Sequence, residues 1–248
     1  MLYQIIIASL LGGVLSLLGG VILLWRETFA KRISFYLVSF AAGALLGAAF
    51  FDLIPESLSG AGERSLAFVL FGIVLIFFFE RFLGWYHYHS GAPHEHHSFT
   101  VQSVLLGDTL HNFIDGAAIA LSFAVNVEVG IATTFAVFVH EIPQEIGDFG
   151  IFIKKGYKRA KILFFNLITA LATLVGAIIT YFLLPWISES MISYGLAITA
   201  GTFIYISTAD LIPELREHNA GGFGIGHTLA ILLGIITVSL LSGIIHRQ

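Results

Sequence analysis

Apolar runs long enough to cross a lipid bilayer follow one another along almost the whole chain. The 248 residues are 57% hydrophobic and only 11% charged, with a mean hydropathy of +0.90. A soluble domain carries about 25% charged residues. A helix satisfies its own backbone hydrogen bonds in hydrocarbon, whereas the short alternating segments of a membrane β-barrel do not occur here. The pattern therefore predicts an all-α polytopic membrane protein.

Polar breaks divide the chain into eight candidate transmembrane helices, which we call spans 1 to 8. The first span starts at Leu2 with neither a basic region before it nor a small-residue cleavage site, so we expect a retained helix and not a signal peptide. The whole chain, 1–248, is then one transmembrane domain. The predicted spans are 2–25, 33–57, 64–85, 100–125, 128–153, 160–183, 190–214 and 222–245.

Basic residues are distributed unevenly between the two sides of this arrangement. Loops on one side hold ten of the twelve lysines and arginines, and only Arg64 and Arg247 fall on the other. Cytosolic loops carry an excess of Lys and Arg. The distribution predicts a cell (inner or plasma) membrane protein with both termini on the non-cytosolic side. The ten are Arg26, Lys31, Arg32, Arg81, Lys154, Lys155, Lys158, Arg159, Lys161 and Arg216.

Two segments of the chain resemble each other. AGALLGAAFFDLIPE (42–56) and AGTFIYISTADLIPE (200–214) share Ala-Gly and then Asp-Leu-Ile-Pro-Glu at the same distance. Spans 2 and 7 cross the membrane in opposite directions, so this is the pattern of an inverted-topology repeat. A shared way of ending a helix at proline is the alternative. The hypothesis puts Asp52 and Glu56 at the outer mouth and Asp210 and Glu214 at the inner mouth.

Spans 4 and 5 each carry a stripe of polar residues near the middle of the bilayer. At 100° per residue the stripe of span 4 covers an arc of about 100° and that of span 5 an arc of about 140°. One ionised side chain at this depth costs about 2.5–3.5 kcal/mol, so these groups must face one another, water or a cation. The stripes are Asp108, His111, Asn112 and Asp115 in span 4, and His140, Glu141, Gln144, Glu145 and Asp148 in span 5.

Imidazole and carboxylate groups without any cysteine suit Zn²⁺, Fe²⁺, Mn²⁺ and Co²⁺, and the two histidines favour Zn²⁺. Pro143 lies within the second stripe, where we expect it to bend the helix and free the carbonyl oxygen of Val139. Two other interpretations stay open, a purely structural polar interface between helices and a proton relay. HEIPQ also begins like the zinc-protease motif H-E-x-x-H, but Gln144 stands where that motif has its second histidine. We expect no enzymatic activity and no catalytic cofactor.

At these residues the sequence resembles the ZIP (ZRT/IRT-like) family of divalent metal transporters. HNFIDG (111–116) is similar to the family's motif in the fourth helix, and HEIPQEIGDF (140–149) to that in the fifth. The resemblance implies a metal site of His111, Asp115, His140, Glu141 and residue 144, with Asn112 sharing Asp115 and Glu141 in a second site. Many members have histidine where this chain has Gln144. The resemblance also implies an inverted relation between spans 1–3 and spans 6–8 around a central pair, spans 4 and 5. It further implies homodimers that move metal toward the cytosol.

A histidine-rich segment between spans 3 and 4, residues 86–99, is expected to be a cytosolic loop that captures metal weakly or to be simply solvated. Its candidate ligands are His87, His89, His94, His96 and His97. Together these features predict a transporter of Zn²⁺ toward the cytosol, with Fe²⁺, Mn²⁺, Co²⁺ and Cd²⁺ as further candidate ions and Glu145 as an additional candidate ligand. A proton-coupled carrier or channel is the alternative.

Overall fold

The structure, a computed structural model, describes residues 1–89, 96–213, 215 and 224–245. These ranges are helical almost throughout, and no strand occurs within them. The helices are α1 (Leu2–Ser9), α2 (Leu18–Trp25), α3 (Glu27–Ala48), α4 (Ile54–Ala61), α5 (Ser65–His89), α6 (His96–Val125), α7 (Val127–Lys154), α8 (Arg159–Leu183), α9 (Glu189–Tyr205) and α10 (Ile225–Ile245).

Four helical stretches of the described chain are long and apolar enough to cross a membrane. They are Leu2–Trp25, Glu27–Phe82, Arg159–Trp186 and Glu189–Leu211, and a shorter apolar helix covers Ile225–Leu241. The second stretch reverses direction at Gly62, whose φ of 67° is accessible to glycine without strain. Helices α6 (30 residues) and α7 (28 residues) are also long enough to cross a membrane, but they carry the polar stripes. An all-helical, multi-pass membrane protein is therefore confirmed.

Several predicted spans are less regular than their hydropathy indicates. Span 1 consists of α1 and α2 joined by a π-helical turn, Leu10–Val14, and a 3₁₀ turn, Leu15–Leu17. Helix α7, in contrast, runs unbroken through Pro143. Hydropathy reports where a segment lies in the bilayer, but it does not report local changes in hydrogen-bond register.

The two similar segments adopt the same local form. A π-helical turn covers Ala49–Leu53 in the first and Ile206–Leu211 in the second, so each turn includes the aspartate of its segment. Pro55 follows at the start of α4, so this proline opens a helix instead of ending one. The simple explanation that the shared motif terminates helices is wrong for this copy.

Three helix pairs cross closely at glycines that face each other. A Cβ atom added to any of these glycines would overlap a backbone carbonyl oxygen of the partner helix, so only glycine permits the approach. Small residues hold membrane helices together in this way because they let the backbones touch. The pairs are Gly116 with Gly176 (α6 and α8), Gly43 with Gly234 (α3 and α10), and Gly72 with Gly201 (α5 and α9).

Helix α7 lies at the centre of the fold, packed against α2, α3 and α6. Its apolar side contributes Ala136 and Val137 to the main core and Phe149 and Phe152 to a second one. The helix is thus fixed on several sides, which leaves its polar stripe directed at α6.

The helices on either side of the histidine-rich segment extend further than predicted. Helix α5 continues to His89 and α6 begins at His96, because helical hydrogen bonding does not stop where hydropathy falls. Residues 86–89 and 96–99 are therefore helical and not part of a loop. His94 lies outside the described residues, and so do the side chains of His87, His89, His96 and His97. Metal capture by this segment stays a prediction.

Candidate metal centre

Four residues of the two stripes meet at one point between α6 and α7. One potential ligand atom from each of His111, Asp115, His140 and Glu141 lies within 4.8 Å of the other three. Asp115, His140 and Glu141 are buried, whereas His111 retains some exposure. The helical period explains the selection, since His111 and Asp115 are one turn apart on α6 while His140 and Glu141 are adjacent on α7.

The separations within this cluster fit a tetrahedral ion. The His111 and His140 Nε2 atoms are 3.1 Å apart, and the His140 Nε2 lies 3.2 Å from Asp115 Oδ2. Glu141 Oε1 is 3.4 Å from the His111 Nε2 and 3.6 Å from the His140 Nε2. Ligand atoms held about 2.1 Å from a tetrahedral Zn²⁺ are about 3.4 Å from one another. The distances that involve His111 and His140 therefore match those expected around one zinc ion.

The backbone fixes the orientation of His140. Its Nδ1–H donates to the carbonyl oxygen of Ala136 at 3.0 Å, one turn earlier in α7. A carbonyl oxygen only accepts hydrogen bonds, so the proton of the neutral ring lies on Nδ1 and the lone pair of Nε2 faces the cluster. This is the arrangement in which an outer hydrogen bond orients a metal-binding imidazole.

A cavity of about 300 Å³ leads from this cluster to one end of the helix bundle. His111 and Gln144 line its inner end, and Asp210 in the second π-helical turn lines it as well. Its remaining polar lining consists of Glu80, Asp108 and Asp148, and no lysine or arginine among the described residues lines it. Four carboxyl groups around one cavity offer oxygen ligands to a cation.

Asn112 and Gln144 stand in different environments. The amide nitrogen of Asn112 donates to Asp108 Oδ1 at 2.8 Å, and its oxygen accepts from Thr173 Oγ1 of α8 at 2.6 Å. Gln144 Oε1, in contrast, is buried without a hydrogen-bond partner among the described residues. The Gln144 amide oxygen is therefore free to turn toward a cation, while that of Asn112 already accepts a hydrogen bond.

Glu145 and Asn166 are buried more deeply than the sequence indicates. Glu145 is 2% exposed, and neither of its carboxylate oxygens has a hydrogen-bond partner among the described residues. Asn166 of α8 is fully buried, and its Oδ1 also lacks a partner there. Burying polar atoms without partners is costly, so these groups are available to water or a cation.

The two ends of the predicted ion path differ in how exposed their carboxylates are. Asp52 is 3% exposed within its π-helical turn, whereas Asp210 at the matching position of the other segment is exposed and lines the cavity. Glu56 is partly buried, with its Oε1 3.5 Å from the amide nitrogen of Asn126. Glu214 lies outside the described residues. The cavity thus opens at the end that carries Asp210.

Sequence reasoning missed two contributors to this region, Glu80 and Thr173. Glu80 lines the cavity and accepts a hydrogen bond from the Tyr205 hydroxyl at 2.8 Å. Thr173 donates a hydrogen bond to the amide oxygen of Asn112. Thr173 lies one turn after Thr169 on a face of α8 that also holds Asn166, and this polar periodicity could have identified it.

Comparison with known proteins agrees with the geometry. The family model described as ZIP Zinc transporter matches residues 2–103 and 89–242, which is nearly the whole chain. The chain belongs to the ZIP zinc transporter family. Within that family it is 34% identical over 226 residues to Zinc transporter ZIP13 of Pongo abelii, covering 83% of this chain and 66% of that protein.

Other ZIP relatives match a shorter part. The chain is 42% identical over 141 residues to Zinc transporter zipt-7.2 of Caenorhabditis elegans, covering 56% of this chain and 30% of the relative. It is 36% identical over 146 residues to Zinc transporter foi of Drosophila melanogaster, covering 59% of this chain and 20% of the relative. The chain thus spans a third or less of the length of these two curated relatives.

Proposed function

We propose that the chain transports divalent transition-metal ions, foremost Zn²⁺, across a cell membrane toward the cytosol. The observation that carries the proposal is the cluster of His111, Asp115, His140 and Glu141, whose ligand atoms lie within 4.8 Å of one another. Its two imidazoles and two carboxylates match the preference of Zn²⁺ for nitrogen and oxygen ligands at tetrahedral separations. The names of the similar ZIP proteins, all zinc transporters, support the same cargo.

In this proposal the four cluster residues are the main ligands, and Gln144 extends the set toward the cavity. The unpartnered amide oxygen of Gln144 supports this role, although it is a weaker ligand than imidazole. Asn112, with Asp115 and Glu141, is proposed to contribute to a neighbouring second site if its hydrogen bond to Thr173 opens. Glu145 is a further candidate because both of its buried oxygens lack a partner among the described residues.

Release occurs through the cavity between His111 and Asp210. The carboxylates that line the cavity give a leaving cation successive weak partners, which lowers the barrier to its exit from a tight site. The excess of lysine and arginine predicts that this end faces the cytosol. Asp52 and Glu56 would receive the ion at the opposite mouth, which in this conformation is closed around Asp52.

We further propose eight spans with an inverted repeat, as many transporters have. The shared π-helical turns support it, as do the matched glycines of the two segments. Gly43 meets a backbone carbonyl of α10, and Gly201 meets one of α5, so each glycine forms the same type of crossing. Opposite mouths could then open alternately because the two halves use similar hinges. Homodimer formation stays an expectation from the family resemblance.

Zinc flux into vesicles that contain only the purified protein tests the proposal. We expect His140→Ala and Asp115→Ala to abolish saturable zinc uptake, because each removes a buried member of the four-residue cluster. His227→Ala is the matched control, since His227 lies on α10 and bonds Ser39, far along the chain from both stripes. Undiminished zinc flux in both ligand variants would refute the assignment of the metal centre. Proton flux that needs no metal would instead favour the proton-relay interpretation, and Fe²⁺ or Mn²⁺ competition would establish the preferred ion.

A further inference from the structure

Several buried oxygen atoms without hydrogen bonds lie one helical turn away from the four-residue cluster. Glu145 is 2% exposed, and neither of its carboxylate oxygens has a hydrogen-bond partner among the described residues. The same holds for the buried Oδ2 of Asp108 and for Oδ1 of the fully buried Asn166. Buried polar atoms of this kind cost free energy unless something else satisfies them, so their presence requires an explanation.

Contacts between α6 and α8 bring Asp108 and Asn166 to the same level of the bundle. Asn112 accepts a hydrogen bond from Thr173 of α8, and Asp108 lies one turn before Asn112 on α6. Thr169 lies one turn before Thr173 and interacts with Asp108. The Thr169 hydroxyl in turn donates to the backbone carbonyl of Asn166 at 3.0 Å.

Helix α7 brings Glu145 to this level as well. The helix is joined to α6 at Asn126 and runs in the opposite direction, so one turn later on α7 corresponds to one turn earlier on α6. Glu141 Oε1 lies 3.4 Å from the His111 Nε2, and Glu145 follows Glu141 by one turn. Glu145 accordingly interacts electrostatically with Asp108.

This group of atoms is separate from the metal centre. One helical turn is about 5.4 Å along the axis, and neither Asp108 nor Glu145 belongs to the group whose ligand atoms lie within 4.8 Å of one another. The group also differs from the second site that the family resemblance implies, because that site uses Asn112 with Asp115 and Glu141.

The orientation of Asn166 indicates that a ligand is bound here. Its amide nitrogen donates to the carbonyl oxygen of Ile162 at 2.8 Å, one turn earlier in α8. The nitrogen is therefore held on the helix backbone, and the oxygen is the atom left for another partner. A carboxylate accepts hydrogen bonds and donates none, so Asp108 and Glu145 as carboxylates cannot satisfy this oxygen or each other. A cation between the three side chains satisfies all of them at once.

We propose that Asp108, Glu145 and Asn166 form a cation site of oxygen ligands alone, which takes a hard divalent ion such as Mn²⁺. Oxygen ligands without imidazole suit Mn²⁺ better than Zn²⁺. Asp108 also lines the cavity, so water can enter and complete the coordination shell. The proposal goes beyond zinc transport, because it assigns Glu145 to a site of its own and not to the main centre.

Mn²⁺ binding to the purified, detergent-solubilised full chain tests the site. The measurement is the electron paramagnetic resonance signal of free Mn²⁺, which decreases as the ion binds. We expect Asp115→Ala, which removes a ligand of the four-residue cluster, to keep binding Mn²⁺. In this background, Asn166→Leu is expected to weaken Mn²⁺ binding about 10-fold and Asn166→Asp to tighten it about 10-fold, because affinity follows the number and charge of the oxygen ligands.

Glu145→Gln supplies the test on α7, and Glu128→Gln is its matched control. Both variants remove one carboxylate from α7, but Glu128 lies in the first turn of that helix, far from Asp108. In the Asp115→Ala background we expect Glu145→Gln to weaken Mn²⁺ binding by more than about 10-fold and Glu128→Gln to leave it unchanged. Equal weakening by the two would mean that Mn²⁺ responds only to net charge, which would overturn the proposal.

Two further results would also overturn it. If Asp115→Ala bound no Mn²⁺, the ion would use the four-residue cluster and no separate site. If Asn166→Leu and Asn166→Asp bound Mn²⁺ equally, Asn166 would have only a structural role. Asn166→Leu alone is expected to keep wild-type zinc affinity in competition with a chelator. Tight zinc binding by Asp115→Ala would refute the metal centre and not this site, so the two tests can fail separately.

Discussion

Replacement of Gly176 by alanine is expected to weaken zinc binding although no ligand is altered. A Cβ at this position would lie 2.9 Å from the carbonyl carbon of Phe113 and 3.1 Å from its Cα, and would overlap its carbonyl oxygen. Carbon atoms in contact prefer about 3.5–4.0 Å, so α6 must move away by about 1 Å at this point. Phe113 lies between His111 and Asp115 on α6, so both ligands move with it.

The magnitude follows from how little displacement a metal site tolerates. Ligand distances in a working site hold to within about 0.2 Å, and disturbing groups that only support the ligands typically costs 10–100-fold in affinity. We therefore expect Gly176→Ala to reduce zinc affinity by about 10–100-fold. The free energy of unfolding is expected to fall by a similar or smaller amount, because overpacking costs about 1–3 kcal/mol and the better helix propensity of alanine returns up to about 1 kcal/mol.

The assay is zinc binding by competition with a chelator, combined with thermal unfolding of the same samples. Gly150→Ala is the matched control because it lies on α7 with no atom within 4 Å of an added Cβ. This control is expected to keep wild-type affinity and to gain up to about 1 kcal/mol of stability. If Gly176→Ala stayed folded and bound zinc as tightly as the wild type, the crossing of α6 and α8 would not control ligand geometry.

Three further outcomes follow from the metal centre. Gln144→His is expected to tighten zinc binding, since imidazole is a stronger ligand than an amide oxygen, and an unchanged affinity in calorimetry would show that residue 144 is not a ligand. Zinc uptake is expected to fall as the pH is lowered, because protons compete with zinc for the imidazole and carboxylate ligands, and uptake that rose steadily toward about pH 5 would contradict this. Asp210→Asn is expected to slow zinc flux without changing equilibrium affinity at the centre, and equal effects on both quantities would argue against a release role.

Much of the candidate metal centre could be predicted because helical periodicity decides which residues share a face of each helix. His111 and Asp115 share a face of α6 whatever surrounds that helix, and the same holds for the ligands of α7. The cost of charge in hydrocarbon then requires the two stripes to face each other. Helical periodicity alone could not select four candidate ligands from nine, because this depends on the rotation and axial offset of two helices; only the resemblance to the ZIP family indicated them.

The environments of Asn112 and Glu80 could not be predicted from helical periodicity. Asn112 lies on the predicted stripe, yet its oxygen accepts a hydrogen bond from Thr173, a residue 61 positions later in the chain. Glu80 belongs to α5 and was not associated with the centre, yet it lines the same cavity as His111. Both facts arise from contacts between helices that are distant in sequence, and one sequence contains no record of them.

The amino-acid sequence by itself determined the class of the protein and its chemistry. Its hydropathy requires helices in a bilayer, its two stripes require a cation or buried partners, and the absence of cysteine restricts the ligands to nitrogen and oxygen. Only the tertiary structure decided which four side chains converge, which end of the path is open, and that both similar segments contain a π-helical turn. These features depend on how closely whole helices approach, and that distance is set by small contacts such as those of Gly116 and Gly176.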